Sequence, residues 1–517
     1  MINKLIFLAV FVATFFVRLD AIRGNNLPFT TDQGRDMIDI RSIAIGHKPR
    51  LIGPTTSING VYLGPFWYYF NLPPFVVSGG DPASLLTWQI VWYQLVGLLT
   101  YVLSKKINPT LGFLAAVLFL IMPLGFNTSR YSWNANAMPI FSALFILALS
   151  WFSQRQSLRR SFLVGLVAGV SFQIEAAFGI IFFPLSFLYL LFTRRNLKTH
   201  LYHLLGFLLT LLPQGLFEIR HQFPLTKVFL GELSGKSTML GEKLAFQERI
   251  TDRLEAVTRL IQQTSHLPVA YLYPVFGIVC FIGIVLAIKD YLTKANQQFV
   301  LLNFSFIVFS LIFYFIFPQP LKSWYLLGLS VPLVFLYSSS LASLLGLHDK
   351  FISPAIVLLL AASFYFTFTA QSEYLSKAQA MGKANKSSLV NSRAAVDWVY
   401  THAGDSGFNV YSYLPSIYDY PYQYLFWWHG EKKYGYRAND VSYLPNQPEY
   451  IENMRLYFTD TKPLPANEPT FLIIEREESN PSFQLAWLGN FSKLCQVDKV
   501  VYDYGVEIRK LLKCQPK

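Results

Sequence analysis

Apolar runs separated by short polar stretches dominate the chain from residue 2 to residue 370. A helix needs about 20 mostly apolar residues to cross a bilayer, with a range of about 17–25. Runs of this kind lie at residues 2–17, 84–103, 111–126, 135–151, 162–178, 180–192, 201–217, 269–288, 299–317, 324–345 and 352–370. They predict about eleven transmembrane helices. The fifth and sixth adjoin, so a tight hairpin with Glu175 near the outer end of its first helix is one reading. Lys4 lies within the first run, but Arg18, Leu19 and Asp20 follow it instead of a small-residue cleavage site, which predicts a retained helix.

Basic residues set the orientation. Lys105 and Lys106 follow the second run, Arg155, Arg159 and Arg160 the fourth, and Arg194, Arg195 and Lys198 the sixth; Lys289 and Lys294 follow the eighth and Lys350 the tenth. Lys and Arg concentrate in cytoplasmic loops. The N-terminus is therefore expected inside and the C-terminus outside. Three outer pieces are long: residues 20–83, 218–267 and 371–517. The division expected is a membrane domain at 1–370 and a small extracytoplasmic α/β domain at 371–517. In the latter, residues 394–401 read as helix, 408–414 and 471–474 as strands, and 500–511 as a hairpin turning at Tyr504-Gly505. Cys495 and Cys514 fall in this outer segment, where a disulfide and two free thiols are both open readings. No internal repeat is visible.

Composition narrows the class. Hydrophobic residues make up 53% and charged residues 14% of the 517, against about 25% charged in soluble domains. The 17% of aromatic residues is the opposite of a disordered composition. Three cysteines are too few for a disulfide scaffold. The eight histidines are scattered, without the spacing of a zinc site. The net charge of +13 is spread over the predicted cytoplasmic loops, not gathered in one stripe, so no nucleic-acid partner is expected; membrane lipid is.

Candidate chemistry begins just past the first helix, in Thr30-Thr31-Asp32-Gln33-Gly34-Arg35-Asp36. On a helix Asp32 and Asp36, four apart, share a face, with Arg35 on the same turn. A stretch rich in Gly and Pro follows: Gly53-Pro54, Gly60, Gly64-Pro65 and Pro73-Pro74, with Trp67-Tyr68-Tyr69 inside it. It is expected to resist helix and form a stiff, shaped loop whose aromatics suit the membrane interface or a sugar face. The bland alternative is a solvated loop with surface ion pairs.

An acid shortly after the first transmembrane helix, in a long outer loop, resembles the GT-C glycosyltransferases. It looks most like bacterial members of the protein O-mannosyltransferase group and the related aminoarabinose transferases. Arg130-Tyr131-Ser132-Trp133-Asn134-Ala135-Asn136, the stretch from Pro213 to His221, and Lys322-Ser323-Trp324-Tyr325 followed by Pro332 resemble the same group. The resemblance covers roughly residues 1–370. It implies an integral-membrane enzyme that takes a sugar from a polyprenyl-phosphate carrier, with Asp32 as general base, and passes it to a protein, lipid or glycan hydroxyl, with inversion. Asp36 joins Asp32 as a catalytic candidate. The leaving phosphate needs cations or oriented donors, for which Arg35, Arg130, Arg220, His221, Lys322 and Tyr325 are candidates. Trp67, Tyr68, Trp133 and Asn134 are candidates for the acceptor or the sugar. Eukaryotic relatives carry an Asp-Glu pair where this chain has Asp32-Gln33, which leaves open whether Asp36 supplies the second acid. Gln173-Ile174-Glu175 stands where many relatives have a His. A divalent cation on Asp32 and Asp36 is compatible with the residues but nothing requires one. The enzyme would sit in the plasma (inner) membrane of the cell envelope with its site on the outer face.

Each candidate has a bland counterpart. Arg130 and Lys322 could snorkel from helix ends. Glu218, Arg220 and His221 could form a local ion pair. Glu175 is read as a loop or interface residue. The tail aromatics between Tyr411 and Tyr436 are read as packing or interfacial. The alternative function is a transporter or flippase of a lipid-linked or polar substrate. That reading calls for midspan charge and paired broken helices, and the chain shows little of either. A non-enzymatic envelope protein would leave the Gly/Pro/aromatic loop without a role.

Overall fold

In a computed structural model of the chain, the described residues are 2–56, 60–194, 196–233, 243–265, 273–289, 291–416, 418–445 and 460–514. Among them, eight helices are long and apolar enough to cross a membrane: Ile2–Asn25, Pro82–Ser104, Asn134–Gln154, Ala176–Thr193, Leu197–Arg220, Lys294–Ile316, Leu327–Leu345 and Ile352–Ala384. Pro109–Ile121 and Pro274–Ile288 are shorter apolar helices. Leu158–Ile174 is a helix of 17 residues opening on Arg159 and Arg160. Each predicted apolar run thus corresponds to helix, with breaks at Met122 and Glu175 and a turn at the start of the run at 324–345; the run at 269–288 begins outside the described residues.

The chain forms two compact units. The first comprises Met1–Leu19, Arg50–Phe70 and Thr87–Glu373; the second comprises Asp20–Pro49, Asn71–Leu86 and Tyr374–Lys517.

In the first unit, lipid tails give helices no hydrophobic reason to associate, so close packing has to come from small residues. Helix Leu158–Ile174 supplies Gly165 and Gly169, and helix Leu197–Arg220 supplies Gly206. A Cβ at Gly165 would run into the His203 carbonyl, one at Gly169 into the Thr210 hydroxyl, and one at Gly206 into the Phe162 carbonyl. The two backbones touch because these positions have no side chain. Arg18, buried near the end of the first span, is fully engaged. Its guanidinium donates to the Leu120 carbonyl (2.7 Å), the Thr14 carbonyl (3.2 Å) and Ser129 Oγ (3.2 Å), and it lies over the rings of Phe126 and Tyr93.

Two sequence expectations are corrected. The stretch around Pro73-Pro74 is helical, from Phe66 to Ser78. A proline inside a helix removes the N–H that would bond the carbonyl four residues back. For Pro74 that carbonyl belongs to Phe70, and the Trp88 indole donates to it at 2.8 Å. Glu175, read as a loop or interface residue, does fall outside helix, but not in an open loop. It is buried, in extended conformation, at the break between Leu158–Ile174 and the short helix Ala176–Gly179. This break ends the predicted fifth run four residues early.

The second unit carries a five-stranded sheet in the order β2-β1-β3-β5-β4, with β1 Asn409–Tyr413, β2 Asp440–Ser442, β3 Thr470–Glu475, β4 Leu494–Tyr502 and β5 Val506–Lys513. β1 runs parallel to β2 and β3; β5 is antiparallel to β3 and β4. The central β3 is buried at all six positions, which is why it reads as the unbroken apolar run Phe471-Leu472-Ile473-Ile474. One face packs Tyr411, Tyr413, Leu472 and Ile474 against Trp487 and Phe491. On the other, helix Leu389–Ala403 brings Trp398 against Phe471 and Tyr400 against Phe408. Cys495 and Cys514 form a disulfide with their Cα atoms 5.0 Å apart, which settles that alternative.

Candidate active site

In the second unit, each residue from Thr30 to Asp36 has an assignable part in helix Thr31–Ala44. Thr30 is the N-cap, and Gln33 Oε1 accepts from both its backbone N–H (2.9 Å) and its hydroxyl (2.8 Å). The residue that stands where eukaryotic relatives carry an acid is therefore buried helix-capping structure here. The Thr31 hydroxyl meets Ser416 Oγ at 2.7 Å. Gly34 lets the helix press on Tyr420–Leu425, since a Cβ there would overlap the backbone of Tyr420 and Pro421.

Asp32 and Asp36 are joined through Arg35. Arg35 Nη1 lies 3.0 Å from Asp32 Oδ1; its Nη2 and Nε reach Asp36 Oδ1 at 2.8 and 3.1 Å. Burial is graded along this chain of charges. The Asp36 side chain is 2% exposed, Arg35 13% and Asp32 38%. Asp36 thus anchors the guanidinium from below, while Asp32 keeps a carboxylate edge open. Asp32 also lies in the first turn of its helix, where the aligned peptide dipoles favour the anion. A partly exposed carboxylate held in one orientation has the geometry to accept a proton. Arg35 already occupies Oδ1 of both carboxylates, so it competes there with any cation. Among the described residues no group of three or more His, Cys, Asp or Glu side chains is placed to hold a metal ion.

The remaining candidates lie in the first unit. Asn134 Nδ2 donates to the Ile174 carbonyl at 2.7 Å and reaches Glu175 Oε2 at 3.3 Å, closing the chain break around the buried acid. Trp133 packs edge-on to Trp324 with ring centres 5.2 Å apart, Tyr131 flanks Trp133, and the Lys322 ammonium lies 5.3 Å from the Trp324 ring centre. Tyr325 is buried, and its carbonyl accepts from the Tyr314 hydroxyl at 3.0 Å.

This segment is pinned by Arg253, which sequence reading passed over. The buried guanidinium donates to the carbonyls of Tyr314 (3.0 Å), Phe317 (2.7 Å) and Gln319 (2.8 Å), while Asp252 accepts from Arg253 and from the Leu321 N–H. The signal available was an Arg on a strongly amphipathic helix, Phe246–Thr264, which gives no hint of a partner some sixty residues on.

Arg130 donates to Asn127 Oδ1 at 3.2 Å and to Gln371 Oε1. Arg220 is exposed at the end of its helix. The exposed His221 stacks on Phe217, with Nδ1 2.9 Å from the Phe217 carbonyl. Glu218 accepts from the N–H groups of Leu225 and Thr226, both at 2.9 Å, and so caps helix Pro224–Leu233, where a local ion pair was one of the two readings. Trp67 and Tyr68 are buried, Trp67 stacked on Phe70. Gln173 ties the loop down: its Oε1 accepts from the Phe66 N–H at 3.1 Å and its amide donates to the Thr210 carbonyl.

Residues 65–214 match the family of dolichyl-phosphate-mannose-protein mannosyltransferases. No curated protein sequence matches. Among solved structures the chain is similar to ArnT from Cupriavidus metallidurans bound to undecaprenyl phosphate, at 12% identity, covering 98% of this chain and 97% of that one, with a TM-score of 0.59. The apo state of the same protein gives 13% identity, the same coverage and a TM-score of 0.57. With its membrane helices, its small sheet domain and this correspondence along nearly the whole length, the chain has the fold of the GT-C glycosyltransferases.

Proposed function

We propose that the protein is an integral-membrane glycosyltransferase that moves a sugar from a polyprenyl-phosphate carrier to a hydroxyl acceptor, with Asp32 as general base. The observation that carries this reading is the Asp32–Arg35–Asp36 arrangement, at the first helix past the opening span, on a fold whose solved counterpart holds undecaprenyl phosphate. The acceptor oxygen attacks the anomeric carbon. The bond from that carbon to the phosphate oxygen breaks, the phosphate leaves with the electron pair, and the acceptor proton passes to Asp32. One displacement inverts the sugar. Arg35 orients the base; Asp36 is a positioning residue that fixes Arg35, so it takes no second acid's role. Arg130, Arg220, His221, Lys322 and Tyr325 are proposed to serve the leaving phosphate, and Trp133 and Asn134 the sugar. The burial of Trp67 and Tyr68 favours a packing role for that pair. The basic loops support a plasma-membrane enzyme whose second unit lies outside the cytoplasm.

The test is transfer by reconstituted protein from a short-chain polyprenyl-phosphate sugar. Asp32→Asn should abolish turnover while the protein elutes and melts as the unaltered chain does. Turnover surviving in a folded Asp32→Asn protein defeats the assignment of the base. Accumulation of substrate in sealed vesicles without transfer favours the transporter instead.

A further inference from the structure

A cavity of about 350 Å³ opens in the first unit at the end of the helices where the basic loops gather, and no residue given a part in transfer lines it. It is lined by Ile107, Ser150, Ser153, Gln154, Gln156 and Tyr189, and by Lys294, Ala295 and Gln298 of helix Lys294–Ile316. No acidic side chain is among the lining residues described. The cavity therefore offers one ammonium and a set of neutral hydroxyl and amide groups.

Three observations point to an anion. First, the N-terminus of the 23-residue helix Lys294–Ile316 faces the cavity through Lys294 and Ala295. Of its first-turn N–H groups, that of Asn296 is capped by Thr293 Oγ1 at 3.5 Å; those of Lys294 and Ala295 have no intrahelical acceptor, and the helix dipole is positive there. Second, Ser150 is 6% exposed, lines the cavity, and its Oγ has no hydrogen-bond partner. A buried hydroxyl left unmatched is costly, and an oxyanion in the cavity supplies the missing acceptor. Ser153 does not fill this role, because it donates to the Ser150 carbonyl at 2.7 Å. Third, the rim is cationic by connectivity: Lys105 and Lys106 precede Ile107, Arg155 sits between Gln154 and Gln156, and Arg194 donates to the Gln156 carbonyl. Such a cluster concentrates anions before any contact is made.

We infer that this cavity binds a phosphate group, either free or on the headgroup of an anionic lipid, with Lys294 as counter-ion and Ser150 as buried donor. The site is independent of the glycosyl-transfer reading and stands or falls without it.

Two arms separate the sources. In maltoside micelles, which contain no phosphate, inorganic phosphate is titrated calorimetrically into the full-length protein. In nanodiscs of phosphatidylcholine with phosphatidylglycerol, lipid retained on the protein is identified by native mass spectrometry. Saturable heat in the first arm assigns free phosphate; selective retention of phosphatidylglycerol with no heat in the first assigns the lipid. In either case Lys294→Ala, at an exposed helix start, and Ser150→Leu, which fills the cavity, should each weaken binding by about tenfold or more. Should Ser150→Leu fail to fold, Lys294→Ala alone decides. The absence of binding in both arms, or binding indifferent to the substitutions, overturns the inference.

Discussion

Replacing Asp36 with Asn separates the positioning carboxylate from the proposed base. In the folded protein Asp36 is the buried end of the pair with Arg35, at 2.8 and 3.1 Å. Removing one partner of a buried pair costs about 3–5 kcal/mol. Arg35 keeps its contact with the 38%-exposed Asp32, and an exposed pair returns about 1 kcal/mol or less. The net loss is then about 2–4 kcal/mol, and the amide oxygen left at Asn, a neutral acceptor, places it near the lower figure. A loss of about 2 kcal/mol is roughly thirtyfold in an opening equilibrium. Hydrogen exchange of the backbone amides in Thr31–Ala44 reads this opening directly. Asp36→Asn should therefore exchange roughly thirtyfold faster there, with turnover lowered but present. Asp32→Asn, losing only an exposed contact, should shift exchange severalfold at most and lose turnover altogether. Unchanged exchange in Asp36→Asn would refute the claim that this carboxylate holds Arg35. Equal acceleration in Asp32→Asn would show that its loss of activity is structural, which removes the general base.

Four further outcomes are expected. Burial beside Tyr422 and Ser387 pushes the Glu475 carboxyl up to about 7. The folded state then holds a proton that the unfolded chain releases above about pH 4.3, so this stability is complete at low pH and is lost as pH rises through about 7, a change of about 4 kcal/mol; Glu475→Gln should gain on the unaltered protein in thermal unfolding at pH 8 relative to pH 5, and an equal offset at both pH values contradicts this. Reducing Cys495–Cys514, or replacing both with Ser, should cost about 3 kcal/mol for a loop of this length, seen as faster proteolysis of the C-terminal segment. Gly34→Ala should cost about 1–3 kcal/mol through overlap with Tyr420 and Pro421, with faster amide exchange in residues 420–425 as the sign that the two helices have parted. Trp88→Phe should cost about 1–3 kcal/mol by stranding the Phe70 carbonyl, and an unchanged melting temperature would mean that Pro74 leaves that carbonyl satisfied by another route.

The helical framework was legible because a run of apolar residues long enough to cross hydrocarbon has few other fates. The same logic marked β1, β3 and the hairpin of the tail. It failed at Pro73-Pro74, where the cost of proline depends on whether some distant donor reaches the freed carbonyl, and Trp88 does. It failed at Glu175, because nothing in an apolar run announces where an acid turns the backbone out of helix. In the candidate site the helical spacing of Asp32 and Asp36 was readable, but the capping by Gln33 and the bridging by Arg35 depend on rotamers. The close approach at Gly34 depends on residues almost four hundred positions further on. Short β2, paired in parallel over three residues, has too little pattern to be seen.

The second unit is assembled from three stretches of chain, two near the N-terminus and a third that begins only at Tyr374. Helix Thr31–Ala44 leaves the ribosome early, yet the surface against which Gly34 closes arrives only with Tyr420 and Pro421. Until then its charged trio has no platform, and a chain stopped short of that point carries the proposed base on an unsupported segment. On the proposed assignment of the base, a product that stops before Tyr420 is expected to be silent, because the surface that seats this helix is missing from it.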